Sequence, residues 1–263
     1  MFFQEFCCIF AKNQLQLELY ILIASFFFIA VVYSSVGFGG GSSYLALLAV
    51  MAVSFEVLRP TALLCNIVVV TGGSIIFFRE GHLDLKKYWP LLAFSVPMAF
   101  VGGYLPIRQD TFFLLLSFTL IAAALVLWFH DSFQQAPDSA NLMNAPLKIA
   151  LGSLIGLLSG MVSIGGGIFL SPILHLLRVD EAKKISALAS VFILVNSIGG
   201  LAGQLARQSS LDWKFVAPLL LAVLAGGQLG SRLGAKKFNS IYIKRITAVL
   251  ILLAGLNILK DHW

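Results

Sequence analysis

Charge is scarce in this chain. Only 11% of its 263 residues are Asp, Glu, Lys or Arg, against about 25% in ordinary soluble domains. So few charges cannot coat a water-exposed surface when 59% of the residues are hydrophobic, and a soluble enzyme is excluded. Cysteine is sparse as well. Cys7, Cys8 and Cys65 are odd in number and have no CxxC spacing, so neither a disulfide framework nor a zinc site is implied. His82, His130, His175 and His262 include no pair at the i, i+3 or i, i+4 spacing that a helical metal site needs, and no cofactor is expected. Carboxylates are missing from the interiors of the apolar runs: Glu18 opens one run, and the others fall in linking segments or tails. Proton-coupled carriers usually keep such a group at membrane depth, and a carrier of metal cations would need anionic oxygen ligands there, so both classes are disfavoured.

What the chain does have is apolar runs of about 20 residues, the length that crosses a bilayer as a helix. In the first half they are Leu17 to Gly37, Thr61 to Phe78, Tyr88 to Ile107 and Thr111 to Phe129; in the second, Leu147 to Ile164, Ile185 to Leu205, Phe215 to Leu233 and Ile246 to Leu259. Two shorter runs, Ser42 to Phe55 and Ile168 to Leu177, each follow a glycine triplet and read as half-helices. The first run is longer than a signal-peptide core and has a later counterpart, so it reads as a retained span.

That counterpart exists because the chain repeats itself. Gly39, Gly40 and Gly41 recur as Gly165, Gly166 and Gly167; Glu56, Thr61, Ala62 and Leu63 recur as Glu181, Ser186, Ala187 and Leu188. Further on, Asp84, Lys86, Pro90, Leu91 and Leu92 recur as Asp212, Lys214, Pro218, Leu219 and Leu220. The expected fold is therefore an all-α integral membrane protein built of two inverted repeats, each with about four transmembrane helices and a short half-helix after its triplet. Residues 1–16 form an N-terminal tail, 17–129 the first repeat, 130–146 a polar linker and 147–263 the second repeat. An odd number of crossings per half places twelve of the 18 Lys and Arg on one side and six on the other, whereas a re-entrant first short run splits them ten to eight. Positive charge favours the cytoplasm, so the first assignment puts the linker inside and both termini outside.

The chemistry of such a chain must use what lies in the membrane, which is glycine with small hydroxyl and amide groups. Three successive glycines break a helix and free backbone N–H groups that lipid cannot satisfy, so each break is expected to line a cavity. The half-helix after each triplet would turn its free amides and positive dipole end toward that cavity, an arrangement suited to an anion. Paired breaks in two inverted halves point to a substrate site at the midplane. The candidate substrate-binding residues are Gly39, Gly40, Gly41, Ser42, Ser43 and Asn66 in the first half. In the second half they are Ser163, Gly165, Gly166, Gly167, Ser190, Asn196 and Ser197. Ser186, Ser190, Ser197, Gly200 and Gln204 share one helical face, flanked by Asn196. The other reading of these residues is structural, through interhelical hydrogen bonds and close packing. Packing is the preferred reading for the GxxxG patterns Gly152, Gly156, Gly160 and Gly226, Gly230, Gly234.

The duplicated halves and the strings Ser35-Val36-Gly37-Phe38-Gly39-Gly40-Gly41 and Ser159-Gly160-Met161-Val162-Ser163-Ile164-Gly165-Gly166-Gly167 resemble the sulfite exporter TauE/SafE-like family of membrane permeases. The Thr61-Ala62-Leu63 and Ser186-Ala187-Leu188 strings and the Gly81-His82-Leu83-Asp84 turn share the likeness, although Ser209 and Ser210 replace that turn in the second half. The resemblance implies a multi-pass protein of the cell inner membrane that exports sulfite or a related anion such as an organosulfonate. Its partners would be a small anion and the lipid bilayer, without nucleic acid; homo-oligomerisation is left open. Two rival readings stand beside transport. A non-transporting membrane subunit would show the same composition. An intramembrane enzyme is the weaker rival, because Gly156-Leu157-Leu158-Ser159-Gly160 has the wrong spacing for a serine nucleophile turn and no triad context accompanies His175 or His262.

Overall fold

The computed structural model describes residues 2–35, 38–79, 81, 84–129, 143–177, 179–207 and 211–234, with 248–249, 252–253 and 255–260 near the C-terminus. Every element among them is a helix. In chain order they are α1 (Phe2–Ser35), α2 (Gly41–Val50), α3 (Phe55–Arg79), α4 (Leu85–Tyr104), α5 (Gln109–Phe129), α6 (Ala145–Val162), α7 (Gly167–Leu176), α8 (Ala182–Ala206) and α9 (Trp213–Gly234). Five segments among the described residues are long and apolar enough to cross a membrane: Glu18–Ser35 of α1, Phe55–Arg79, Ala145–Val162, Lys183–Ala206 and Trp213–Leu233. Helices α2 and α7 have 10 residues each, about 15 Å of rise, and reach only part-way. Large apolar side chains such as Phe28, Trp89, Leu154 and Leu221 are more than half exposed on the outside of the bundle, a surface suited to lipid rather than water. Most of the expected linker, 130–142, and the His82–Leu83 and Ser209–Ser210 positions lie outside the described residues.

The boundaries of α3 and α4 differ from the expected apolar runs. Helix α3 begins at Phe55, ahead of the run at Thr61, because the Ser54 carbonyl accepts the first amides, from Val57 and Leu58 at 3.0 Å each. Pro60 sits inside this helix, where its missing N–H forfeits only the bond to the carbonyl of Glu56, in the helix's first turn. Arg59 is thereby carried into the membrane-spanning helix rather than a linking segment. Helix α4 starts at Leu85, capped by Asp84, whose Oδ1 accepts the Lys87 amide at 3.1 Å.

Packing between helices depends on glycine. A Cβ at Gly152, Gly156 or Gly160 of α6 would fall on the carbonyl oxygens of Leu91, Ser95 and Ala99 of α4, so these parallel helices meet backbone to backbone. Gly226 and Gly230 of α9 meet the carbonyls of Phe27 and Val31 of α1 in the same way. Under the sequence repeat α6 corresponds to α1 and α9 to α4, so the two seams are equivalent. The other contacts also come in exchanged pairs: α3 with α9 and α8 with α4, α2 with α3 and α7 with α8. Helices α3 and α8, themselves equivalent, pack on each other. Leu63 meets Gly200 and Gly73 meets Ser190, so the two run antiparallel across the centre of the bundle.

The face that carries the N-termini of α4 and α6 also holds the α7–α8 link, and an aspartate closes it. Asp180 Oδ2 accepts Lys87 Nζ at 2.9 Å and the Tyr88 hydroxyl at 3.1 Å; its Oδ1 lies 3.4 Å from Lys184 Nζ. Lys148 Nζ of α6 donates to the Lys87 carbonyl at 3.0 Å and tightens the same cluster. Burial alone would raise the Asp180 carboxyl, but the Lys87 hydrogen bond, the Glu181 amide and the Tyr88 hydroxyl together hold it below the usual carboxylate range.

The seams predict opposite outcomes for two glycine substitutions. Gly156→Ala puts a methyl group into the Ser95 carbonyl and should destabilise the protein by about 1–3 kcal/mol. Gly73→Ala meets only Ser190 Oγ, 4.0 Å away, and should be neutral or gain up to about 1 kcal/mol of helix propensity. Unfolding in detergent micelles distinguishes the two, and equal effects would contradict the backbone contact.

Candidate functional site

The two glycine triplets sit at the N-termini of α2 and α7, on either side of the α3–α8 crossing. Gly40 has φ 84°, Gly165 87° and Gly166 78°, left-handed values that a side chain disfavours and that turn the chain from one helix into the next. The remaining glycines of the triplets are required by close approach. A Cβ at Gly39 or Gly41 would strike the Asn66 carboxamide, and one at Gly167 would strike Ile193. At Gly165 it would press on Ile193 and Ser197 Oγ, with Asn66 Nδ2 at 3.2 Å. The structure thus brings Gly39, Gly41, Asn66, Gly165 and Ser197 into one cluster. Ser42 and Ser43 stand slightly apart, around Tyr33, whose hydroxyl lies 2.7 Å from Ser43 Oγ and 3.5 Å from Ser42 Oγ. Ser190 lies beside Gly73 instead, about 10 Å along α8 from Ser197. Asn196 turns its Nδ2 onto the Phe192 carbonyl of its own helix at 2.8 Å.

The second break is served by side chains of the first half. Asn66 Nδ2 donates to the Ile164 carbonyl at 2.9 Å, and Arg59 Nη2 donates to the Met161 carbonyl at 3.1 Å. Ser163, at φ 62°, presents its Oγ to Arg59 Nε at 3.3 Å and to Gln204 Nε2 at 2.8 Å. Several fully buried polar atoms nearby have no hydrogen-bond partner among the described residues: Asn66 Oδ1, Ser159 Oγ, Asn196 Oδ1, Ser197 Oγ and Gln204 Oε1. Orphaned polar atoms at this density are costly in a fold that exists only to pack.

Above Ser163 a cavity of about 290 Å³ opens on the face opposite the Asp180 cluster, lined by Phe55, Glu56, Arg59, Gly103, Ile107, Gln204 and Arg207. Arg59 forms its floor. It is 6% exposed and makes no ion pair among the described residues; its guanidinium carbon lies 5.3 Å from the ring centres of both Phe55 and Phe112. Two guanidiniums against one carboxylate leave the cavity cationic, and the aromatic walls limit solvation of Arg59.

Of these residues Gln204 was expected only as part of the polar face of α8, Glu56, Arg59 and Arg207 were not expected at the site, and no triplet glycine lines this cavity. The repeat itself carried a signal for Arg59. The offset that aligns Glu56 with Glu181 also puts Arg59 on Lys184, a basic residue just before the Thr61-Ala62-Leu63 and Ser186-Ala187-Leu188 strings.

The second glycine break is clasped by side chains of the first half, and residues 22–258 match the family described as sulfite exporter TauE/SafE. The chain belongs to that family. Among curated proteins, this TauE/SafE chain is 30% identical over 240 residues to the probable membrane transporter protein y4hK of Sinorhizobium fredii (strain NBRC 101917 / NGR234), covering 90% of this chain and 97% of that one. It is 25% identical over 248 residues to the probable membrane transporter protein YjnA of Bacillus subtilis (strain 168), covering 88% and 96%. No solved structure matches. The TauE/SafE chain is accordingly a multi-pass membrane transporter.

Ser163 joins the cavity to the second break, and its removal should be felt as stability. Ser163→Ala takes away the acceptor of both Arg59 Nε and Gln204 Nε2, leaving buried donors unpaired at a cost of about 1–3 kcal/mol. Ser35→Ala, whose hydroxyl reaches only the Val32 carbonyl of its own helix, should change stability by less than about 0.5 kcal/mol. Thermal unfolding of both variants checks the difference; a Ser163→Ala protein as stable as its parent would show that these bonds hold nothing.

Proposed function

We propose that this TauE/SafE protein moves a small sulfur-containing anion, sulfite or an organosulfonate, across the inner membrane by alternating access around a midplane site. The observation that carries the reading is Arg59, a buried guanidinium without a carboxylate partner among the described residues, at the floor of a cationic cavity. A charge so placed is retained at high desolvation cost, which an incoming anion would offset. The anion would lose its water against Arg59, Arg207 and Gln204, then pass Ser163 to the groups around the breaks. There Gly39, Gly40, Gly41, Ser42, Ser43, Asn66, Gly165, Gly166, Gly167, Ser190, Asn196 and Ser197 would hold it with backbone amides, hydroxyls and carboxamides. Neutral donors suit a ligand that must also leave.

Alternating access follows from the symmetry proposed for the chain: two inverted halves, with the linker cytoplasmic and both termini outside. The antiparallel α3–α8 pair and the exchanged helix contacts support the inversion, because equivalent helices related by an axis in the membrane plane must run in opposite directions. In that orientation the Arg59 cavity faces outward and the Asp180 cluster faces the cytoplasm.

Uptake of labelled sulfite into proteoliposomes tests the function, with sulfate, thiosulfate and taurine-derived sulfonates as competitors. Arg59→Gln should lower flux per folded molecule by at least about tenfold, since truncating a buried charged hydrogen-bonding group costs roughly 2–5 kcal/mol, while Arg59→Lys should retain part of it. Undiminished flux in a folded Arg59→Gln protein would remove the cavity from the path. Orientation has its own check: a cysteine at position 138 should resist membrane-impermeant maleimide in intact cells and react in inverted vesicles.

A further inference from the structure

The two ends of the bundle are built from the same repeat but filled differently. The offset that aligns Glu56 and Arg59 with Glu181 and Lys184 also aligns Phe55 with Asp180. At the open end, Phe55 lies against the Arg59 guanidinium beside the cavity. At the opposite end, the residue in the place of Phe55 is an acid, and its carboxylate is held as a bound anion would be. Four donors converge on it: Lys87 Nζ at 2.9 Å, the Tyr88 hydroxyl at 3.1 Å, the Glu181 amide at 3.1 Å and Lys184 Nζ at 3.4 Å. The Asp180 side chain is 12% exposed, and Lys148 Nζ stands 6.0 Å from the Tyr88 ring that backs the cluster. Two lysines, from α4 and α8, thus contact one carboxylate, and a third, Lys148 of α6, backs the cluster through the Lys87 carbonyl.

We infer that Lys87, Tyr88 and Lys184 form a second anion-binding site on the linker face, occupied in this structure by the carboxylate of Asp180 acting as an internal stand-in. The ligand class is a small oxyanion, the class proposed for transport, and this assignment rests on that reading only for the identity of the anion. Lys184 is to this face what Arg59 is to the other. While Asp180 fills the cluster, α4, α6 and the α7–α8 link are tied together and the face is shut. When an oxyanion displaces it, the donors stay satisfied and the link is free to move. The exchange puts one anion in the place of another on the same donors. A carboxylate latch of this kind opens for an anion and stays closed to neutral solutes.

The experiment compares Asp180→Asn with its parent in inside-out vesicles. Ser186→Cys, one half-turn beyond Lys184, reports the face by its reaction with membrane-impermeant maleimide, in a background with Cys7, Cys8 and Cys65 replaced. Loss of the carboxylate should speed labelling by at least about tenfold, as expected when one state of a two-state gate loses its main tie. In the protein that keeps Asp180, millimolar sulfate should accelerate labelling, and chloride at equal ionic strength should not. Lys184→Gln, which preserves the Lys87–Asp180 bond and the fold, should abolish that anion effect. Labelling that is unchanged by Asp180→Asn, or equally stimulated by chloride, would overturn the inference and leave Asp180 as a brace between helices. If Asp180→Asn does not fold, the sulfate effect and its loss in Lys184→Gln decide the matter alone. The labelling needs no flux, so a parent protein that carries no sulfite in proteoliposomes would defeat the transport reading without touching this result.

Discussion

The hydrogen bond from Asn66 Nδ2 to the Ile164 carbonyl is the constraint on which the centre of this protein depends. A helix broken inside a membrane leaves carbonyls that lipid cannot serve, and each must find a donor in the protein. The second break finds its donors on α3, in the other half of the chain: Asn66 for Ile164 and Arg59 for Met161. Neither could reach unless α3 and α8 crossed closely, and at Gly165 a Cβ would meet both Ser197 Oγ of α8 and Asn66 Nδ2 of α3. The triplets therefore do two things at once. They end one helix and start another through left-handed residues, and they let the following helix lie close, α3 through Asn66 at Gly39 and Gly41 and α8 through Ile193 at Gly165 and Gly167.

A second consequence concerns motion. The seams of α4 with α6 and α1 with α9 join backbone directly to backbone through glycine, so each pair should move as one body. The contacts at the two faces are of another kind. Arg59 with Ser163 and Gln204 on one face, and Asp180 with Lys87, Tyr88 and Lys184 on the other, are polar side-chain contacts that water or an anion can replace. Because each seam joins a helix of one half to a helix of the other, any motion that exchanges the contacts at the faces would shift the α4–α6 pair against the α1–α9 pair rather than one half against the other.

Much of this was legible in the residues. The low charge and the apolar runs already imply membrane helices, and the glycine triplets mark the breaks because three glycines in a row can neither hold a helix nor form a packing seam. The GxxxG spacing of Gly152, Gly156 and Gly160 marks a seam for the opposite reason, since glycine every fourth residue keeps to one face. Arg59 was hidden by local chemistry. A charge followed by Pro60 reads as the end of a link, and only the amides of Val57 and Leu58 on the Ser54 carbonyl show that the helix has already begun. The Asp180 cluster was hidden by distance, because Lys87 and Asp180 are 93 residues apart and no periodic pattern connects them.

The sequence by itself determined the class of protein, its family and the positions of its two helix breaks, because each follows from composition, motif or spacing along the chain. The tertiary structure alone decided which half satisfies which break, which basic residue stands buried without an acid among the described residues, and which end is open. Those outcomes depend on how α3 crosses α8, and the angle and depth of a helix crossing are set by side chains from distant parts of the chain meeting in space.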